Sequence, residues 1–100
     1  MSYVLRLTAA AQDDIRRIVW YLDQQDPRIG DRGMLAISRT LGRIERTPLL
    51  YPQFDRGAHR AAVPRFRLSI WYRIVALEIV VVAVMHGRRD PTTAVRRFLP

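Results

Sequence analysis

Phe66-Arg67-Leu68-Ser69-Ile70-Trp71-Tyr72-Arg73-Ile74 and Glu78-Ile79-Val80-Val81-Val82-Ala83-Val84-Met85-His86 decide the fold of this chain. In the first segment apolar and polar or amphipathic residues alternate with a period of two, the mark of a strand with one covered face. The second is almost continuously apolar and rich in valine, which suits an inner strand covered on both faces. Ala76-Leu77 lies between them and predicts a hairpin. In that register Tyr72 opposes Val81, Ile70 opposes Ala83 and Leu68 opposes Met85. These pairs form one face, to be covered by helices. Arg67, Ser69, Trp71 and Arg73 share the other with Val80, Val82, Val84 and His86. That second face is greasy and basic, and no remaining element is large enough to cover it. A turn longer by one residue would reverse the sides of the last strand.

Upstream, Ala58 to Val63 reads as a short strand, broken at Pro64-Arg65. Residues 48–57, with Pro48, Pro52 and Gly57, read as an irregular loop. Before it, Met34, Ile37, Leu41 and Ile44 follow helical spacing up to Arg46, and Thr47-Pro48 ends the helix. Gly30, Gly33 and Gly42 weaken that helix and blur its start. Asp26-Pro27 is a boundary of an acidic cap followed by proline at a first helical position. Ala11, Ile15, Ile18, Val19 and Leu22 give an earlier helix one apolar stripe, with Asp13, Asp14, Arg16 and Arg17 off it. Thr8 offers its cap, and Gln25 lies near its end. Val4 to Leu7 alternates as a short first strand. Two helices joined by so tight a turn form an antiparallel hairpin. The expected architecture is therefore α+β, ordered β-α-α-β-β-β, with a helical hairpin on one face of a small, mainly antiparallel sheet. Gly87 to Pro100 reads as a basic tail in which Asp90-Pro91 starts a short helix.

One hundred residues fit a single domain, here taken as 1–100. Without cysteine the chain has no disulfide framework, thiolate metal site or cysteine nucleophile, and it fits a reducing cytoplasm. His59 and His86 are too few for an all-histidine metal site. No cofactor or metal is expected. The first residues lack the basic-then-apolar pattern of a secretory signal, and no apolar run is long enough to span a membrane.

The formal net charge is +8, and all seventeen basic residues are arginine. A GC-rich genome would account for arginine over lysine, but not for the excess of charge. Residues 1–50 carry a net +2 and residues 51–100 a net +6. The field of the second half calls for an anionic partner, either nucleic acid or an acidic protein surface. No catalytic signature is complete: phosphate loop, dinucleotide loop, zinc-protease helix and serine elbow are all missing. Ser69 reads as structural, and Trp20, Tyr21 and Tyr51 as packing residues. His86-Gly87-Arg88-Arg89-Asp90-Pro91 is the most distinctive short segment. A histidine at a strand end with arginines beside it suits either an anion site or a capped sheet end with a solvated tail.

The order of elements and particular residues together resemble the ParE/RelE superfamily of bacterial type II toxins. Ala10-Ala11-Gln12-Asp13-Asp14-Ile15-Arg16-Arg17-Ile18-Val19-Trp20-Tyr21 is similar to that superfamily's first helix, and Ile44 with Thr47-Pro48 to the end of its second. Arg60 and the run Phe66 to Ile74 look like its middle strands. Val82 to Asp90 looks like its final strand and the segment beyond. The resemblance spans nearly the whole chain. It implies a toxin neutralised by a cognate antitoxin whose C-terminal segment wraps it, with operator DNA contacted only through the antitoxin.

The superfamily divides into gyrase inhibitors, ParE-like, and ribosome-dependent messenger-RNA endonucleases, RelE-like. This chain has no lysine, and Gly87 follows His86 where a RelE-like tyrosine would stand. The resemblance therefore leans to the ParE-like branch, a DNA gyrase inhibitor without chemistry of its own. On the alternative, with ribosome and messenger RNA as targets, His86, Arg60, Arg67, Arg73 and Arg88 would serve RNA cleavage. For target or antitoxin binding the expected residues are Arg60, Arg67, Trp71, Arg73, Val80, Val82, His86, Arg88 and Arg89. An acidic, amphipathic antitoxin segment would pack near Trp71, Val82 and the outer groove of the helical hairpin, its carboxylates on Arg67, Arg73 or Arg88.

Overall fold

A computed structural model describes residues 2–86 and 96–98. The elements follow the expected order: β1 (Val4–Leu7), α1 (Ala9–Gln25), α2 (Pro27–Arg46), β2 (His59–Val63), β3 (Leu68–Val75) and β4 (Glu78–His86). Short 3-10 turns lie at Pro48–Leu50, Asp55–Gly57 and Arg96–Phe98. The expected helix at Asp90-Pro91 lies outside the described residues.

The helix boundaries are set by capping chemistry. The Thr8 hydroxyl accepts from the Ala11 N–H at 3.1 Å and opens α1. Asp26 closes α1 with its backbone N–H on the Leu22 carbonyl, and its carboxylate accepts from the Arg28 N–H to open α2. Pro27 occupies the first turn, where its missing N–H costs nothing. Two of the glycines that blurred this helix in the sequence, Gly30 and Gly33, have a packing reason. A Cβ on Gly33 would stand 2.5 Å from Leu22 Cδ1, so the bare backbone lets α2 close on α1.

The Asp26 carboxyl is held below its ordinary value of 3.8 by the hydrogen bond from the Arg28 side chain and, next, by that from its N–H. A lowered folded-state pKa contributes stability above the unfolded value and loses it as pH falls through the folded one. Wild type is therefore expected to exceed Asp26→Asn in urea midpoint at neutral pH. The gap should close as pH drops below 3.8, which parallel urea titrations would read. A gap that persists in acid would remove the charge from this account.

The sheet order is β1-β4-β3-β2. β1 runs parallel to β4, and the other neighbours are antiparallel. β4 is an inner strand, as its unbroken apolar run implies. Ala11, Ile15, Ile37 and Ile44 of the helices pack against Leu68, Ile70, Tyr72, Ile79, Val81 and Val84 of the sheet. Tyr72 is fully buried, donates its hydroxyl to the Pro48 carbonyl and stacks on His59 with ring centroids 5.1 Å apart. Burial raises its pKa, so the phenol keeps its proton.

The β3–β4 turn is Ala76-Leu77 and Tyr72 does oppose Val81, both as expected. Beyond that point the register departs from the expectation. Trp71 opposes Ala83, Ile70 opposes Val84 and Leu68 opposes His86, because a bulge at Val82 inserts one residue into β4. Val84 therefore joins the helix-side core, while Ala83 and Met85 join Trp71, Val80 and Val82 on the other side. The bulge carries His86 to the helix side as well, where its ring meets that of Tyr21 in α1. β3 also begins two residues later than expected. Phe66 and Arg67 belong to the β2–β3 turn, in which Arg65 (φ 73°) and Arg67 (φ 50°) adopt left-handed backbone.

The sheet's second face is not open, as the sequence implied. Trp71 is 3% exposed, and Ala58, Val80, Val82, Ala83 and Met85 are buried with it. Phe54 from the preceding loop lies on the Trp71 ring, with centroids 5.5 Å apart. That loop is drawn back onto β2 by hydrogen bonds from the Phe54 N–H to Ala58 and from the Arg60 N–H to Pro52. Phe54 thus forms a lid over Trp71.

Candidate functional site

Among the described residues, the sequence-predicted site residues and their neighbours gather around two places. The first is the edge of β4 that β1 leaves unpaired. Pairing with β1 ends at Leu7–Val81, so on this edge, among the described residues, the backbone of β4 beyond the bulge has no strand beside it. Asp14 of α1 fills part of this vacancy. Its Oδ2 accepts from the Val84 N–H at 3.0 Å. Arg97 Nη1 donates to the same oxygen at 2.6 Å and to the Val82 carbonyl at 3.0 Å, while Arg97 Nη2 reaches Asp14 Oδ1. Arg17 Nη2 donates to Oδ1 at 3.0 Å. A carboxylate and two guanidiniums thus replace a missing strand. Around them Ile18, Tyr21, Met85 and His86 complete a cleft of about 560 Å³.

Sequence reading put Asp14 on the solvent side, and the structure buries its side chain to 8% exposure. The signal was present: Ala11, Asp14, Ile15 and Ile18 follow i, i+3, i+4, i+7, so Asp14 stands on the buried stripe. Trp20 and Tyr21, expected in packing roles, are 65% and 53% exposed on α1. They lie on the polar arc beside Arg16 and Arg17, where no layer covers the helix. Tyr51 does pack, edge-on to Tyr72.

The second place is the face beneath the Phe54 lid. Arg60 on β2 stands beside Trp71 in register, and its guanidinium carbon is 5.9 Å from the Phe54 ring centre. Arg73 opposes Val80 near the start of β4. Arginine, phenylalanine and tryptophan thus form a layered aromatic and cationic surface. Phe54 was not anticipated, because its role comes from a loop that folds back.

The expected site residues therefore separate. Arg60 and Arg73 lie on the lid side of the sheet, whereas His86 lies on the helix side, next to Tyr21. His86 pairs with Leu68 at one end of β3, and Arg73 stands five residues further along, about 17 Å away at strand spacing. Arg67 is exposed in the turn adjoining the His86 end. Trp71, Val80 and Val82 are brought together but buried. Arg88 and Arg89 lie outside the described residues. Among the described residues no group of three His, Cys, Asp or Glu side chains is placed to hold a metal, and no helix is long and apolar enough to cross a membrane.

Two helices on a four-stranded sheet with one parallel edge is a fold shared with solved toxin structures. One is the chromosomal ParDE toxin–antitoxin system from P. aeruginosa, with TM-score 0.66, 14% identity and coverage of 85% of this chain and 96% of that one. Another is the toxin–antitoxin complex RelBE2 from Mycobacterium tuberculosis, with TM-score 0.61, 24% identity and coverage of 86% and 99%. No curated protein matches in sequence. Residues 5–91 match the family described as ParE toxin of type II toxin-antitoxin system, parDE. The chain belongs to that family: it is a toxin of the type II toxin–antitoxin class.

Proposed function

We propose that this toxin arrests growth by inhibiting DNA gyrase, and that a cognate antitoxin neutralises it. The family match over residues 5–91 carries this reading. The placement of the titratable groups supports it. Tyr72, the last tyrosine, is buried with its hydroxyl on the Pro48 carbonyl, so it is not presented to a substrate. His86 and the arginines of the lid face lie on opposite sides of the sheet, so they do not converge on one phosphate. Binding surfaces, by contrast, are plentiful. Arg60, Arg67, Arg73 and His86 are the expected contact residues that stay accessible. The antitoxin's carboxylates would address those arginines, and the operator's sequence would be reached through the antitoxin.

Purified toxin at micromolar concentration is expected to abolish supercoiling of relaxed plasmid by gyrase, with activity restored by equimolar antitoxin. Undiminished supercoiling would overturn the proposal.

One observation favours a second reading. His86 is exposed at a strand end with the Tyr21 ring 6.5 Å away, a histidine–tyrosine pair beside a cationic cleft. If that pair acts on messenger RNA in the ribosome, mapped transcript ends from translating extracts would show codon-phased cuts, and His86→Ala would erase them.

A further inference from the structure

The near-neutral charge of residues 1–50 conceals a segregation by face. At 100° per residue, Arg28, Arg32, Arg39, Arg43 and Arg46 of α2 fall within an arc of about 60°. Asp31 and Glu45 fall outside that arc. Arg28 is committed to Asp26. Arg32, Arg39, Arg43 and Arg46 are exposed, and none has a carboxylate at ion-pair distance among the described residues. Arg65, lifted by its left-handed backbone in the β2–β3 turn, faces them across a groove of about 1110 Å³. The groove is lined by five arginines and no acid.

Its apolar floor is mostly committed to this chain's own core, since Phe66 and Ala36 already pack there. Leu35 and Pro64 are the exposed apolar side chains that remain. Half-buried Ile29 adds one more, but an amphipathic helix needs a regular series of apolar sockets, which these three residues among five arginines do not supply. A polyanion needs what is present: a row of guanidiniums with no carboxylate partner among the described residues, one of which, Arg43, donates to the Thr40 hydroxyl. From Arg32 to Arg46 the row covers about 21 Å, the rise of roughly six base pairs.

We propose that the arginine face of α2, with Arg65, is a binding site for the phosphate backbone of duplex DNA, contacted by the toxin itself. This goes beyond target inhibition and does not depend on which target the toxin has.

The test uses the full chain and a fluorescent 20-base-pair duplex of arbitrary sequence, with anisotropy read across a salt series. Arg39→Gln/Arg43→Gln is compared with Arg6→Gln/Arg16→Gln, which removes the same charge from β1 and α1. Thermal midpoints first establish that both variants fold. The stripe variant is expected to flatten the plot of log affinity against log salt by about 1.8, and the control by far less. Equal flattening in both variants would overturn the proposal, since net charge alone would then explain binding. Absence of duplex binding at low salt would overturn it too. So would single strands that bind equally well and respond equally to the stripe variant. Tight binding of an acidic peptide, lost in the stripe variant while duplex binding persists, would reassign the face to a protein partner.

Discussion

Asp14→Ala is expected to lower stability by about 2–4 kcal/mol, which in a domain of this size is a fall of order 10–25 °C in thermal midpoint. The substitution deprives the Val84 N–H, two Arg97 donors and the Arg17 guanidinium of their acceptor, and leaves Arg97 without the carboxylate that anchors it beside the Val82 carbonyl. A solvent-exposed aspartate at the same position would cost no more than about half a kcal/mol. The two outcomes are well separated by calorimetry. Asp14→Asn should fall between them, because its side-chain oxygen can still accept from Val84 while the charge is gone. A midpoint shift below about 3 °C for Asp14→Ala would show that the edge is held by something else.

Trp71→Ala is expected to cost about 3–5 kcal/mol, the range for deleting a buried large aromatic. From the sequence alone this residue is expected at an interface. In the structure it is the centre of the cluster beneath Phe54, and its loss would empty the space between lid and sheet. Weaker antitoxin binding by this variant would therefore report folding as well as contact. Phe54→Ala separates the two, because it strips the half-exposed lid while leaving the strands in register. Chemical unfolding of both variants, set beside their antitoxin affinities, distinguishes the roles. A Trp71→Ala chain as stable as wild type would return the tryptophan to the interface.

The strands, helices and inner position of β4 were legible because each rests on a local period: two for β3, 3.6 for α1 and α2, and an unbroken apolar run for β4. Tyr72 opposite Val81 and the turn at Ala76-Leu77 followed from that pattern alone. The expected register fails from Trp71 onward because nothing in Val82-Ala83 distinguishes a bulged valine from a paired one. The site was less legible for a related reason. The burial of Asp14 depends on β1 being only four residues long, a relation between elements distant in the chain. The lid role of Phe54 depends on the path of an irregular loop. The arginine arc of α2 needed only an angular projection, which a count of charges by halves of the chain conceals.

Asp26 ends one helix and begins the next, so the two axes meet with no spacer between them. The joint therefore works as an angular key. A single residue inserted between Gln25 and Pro27 would either break one of the caps or turn α2 by about 100° about its own axis. The same rotation would drive Ile37 and Ile44 out of the interior and sweep the cationic row toward α1. The azimuth of that row is thus set at the bend, by one carboxylate and one proline. An indel at this corner would be selected against even though it touches neither the sheet nor any contact residue.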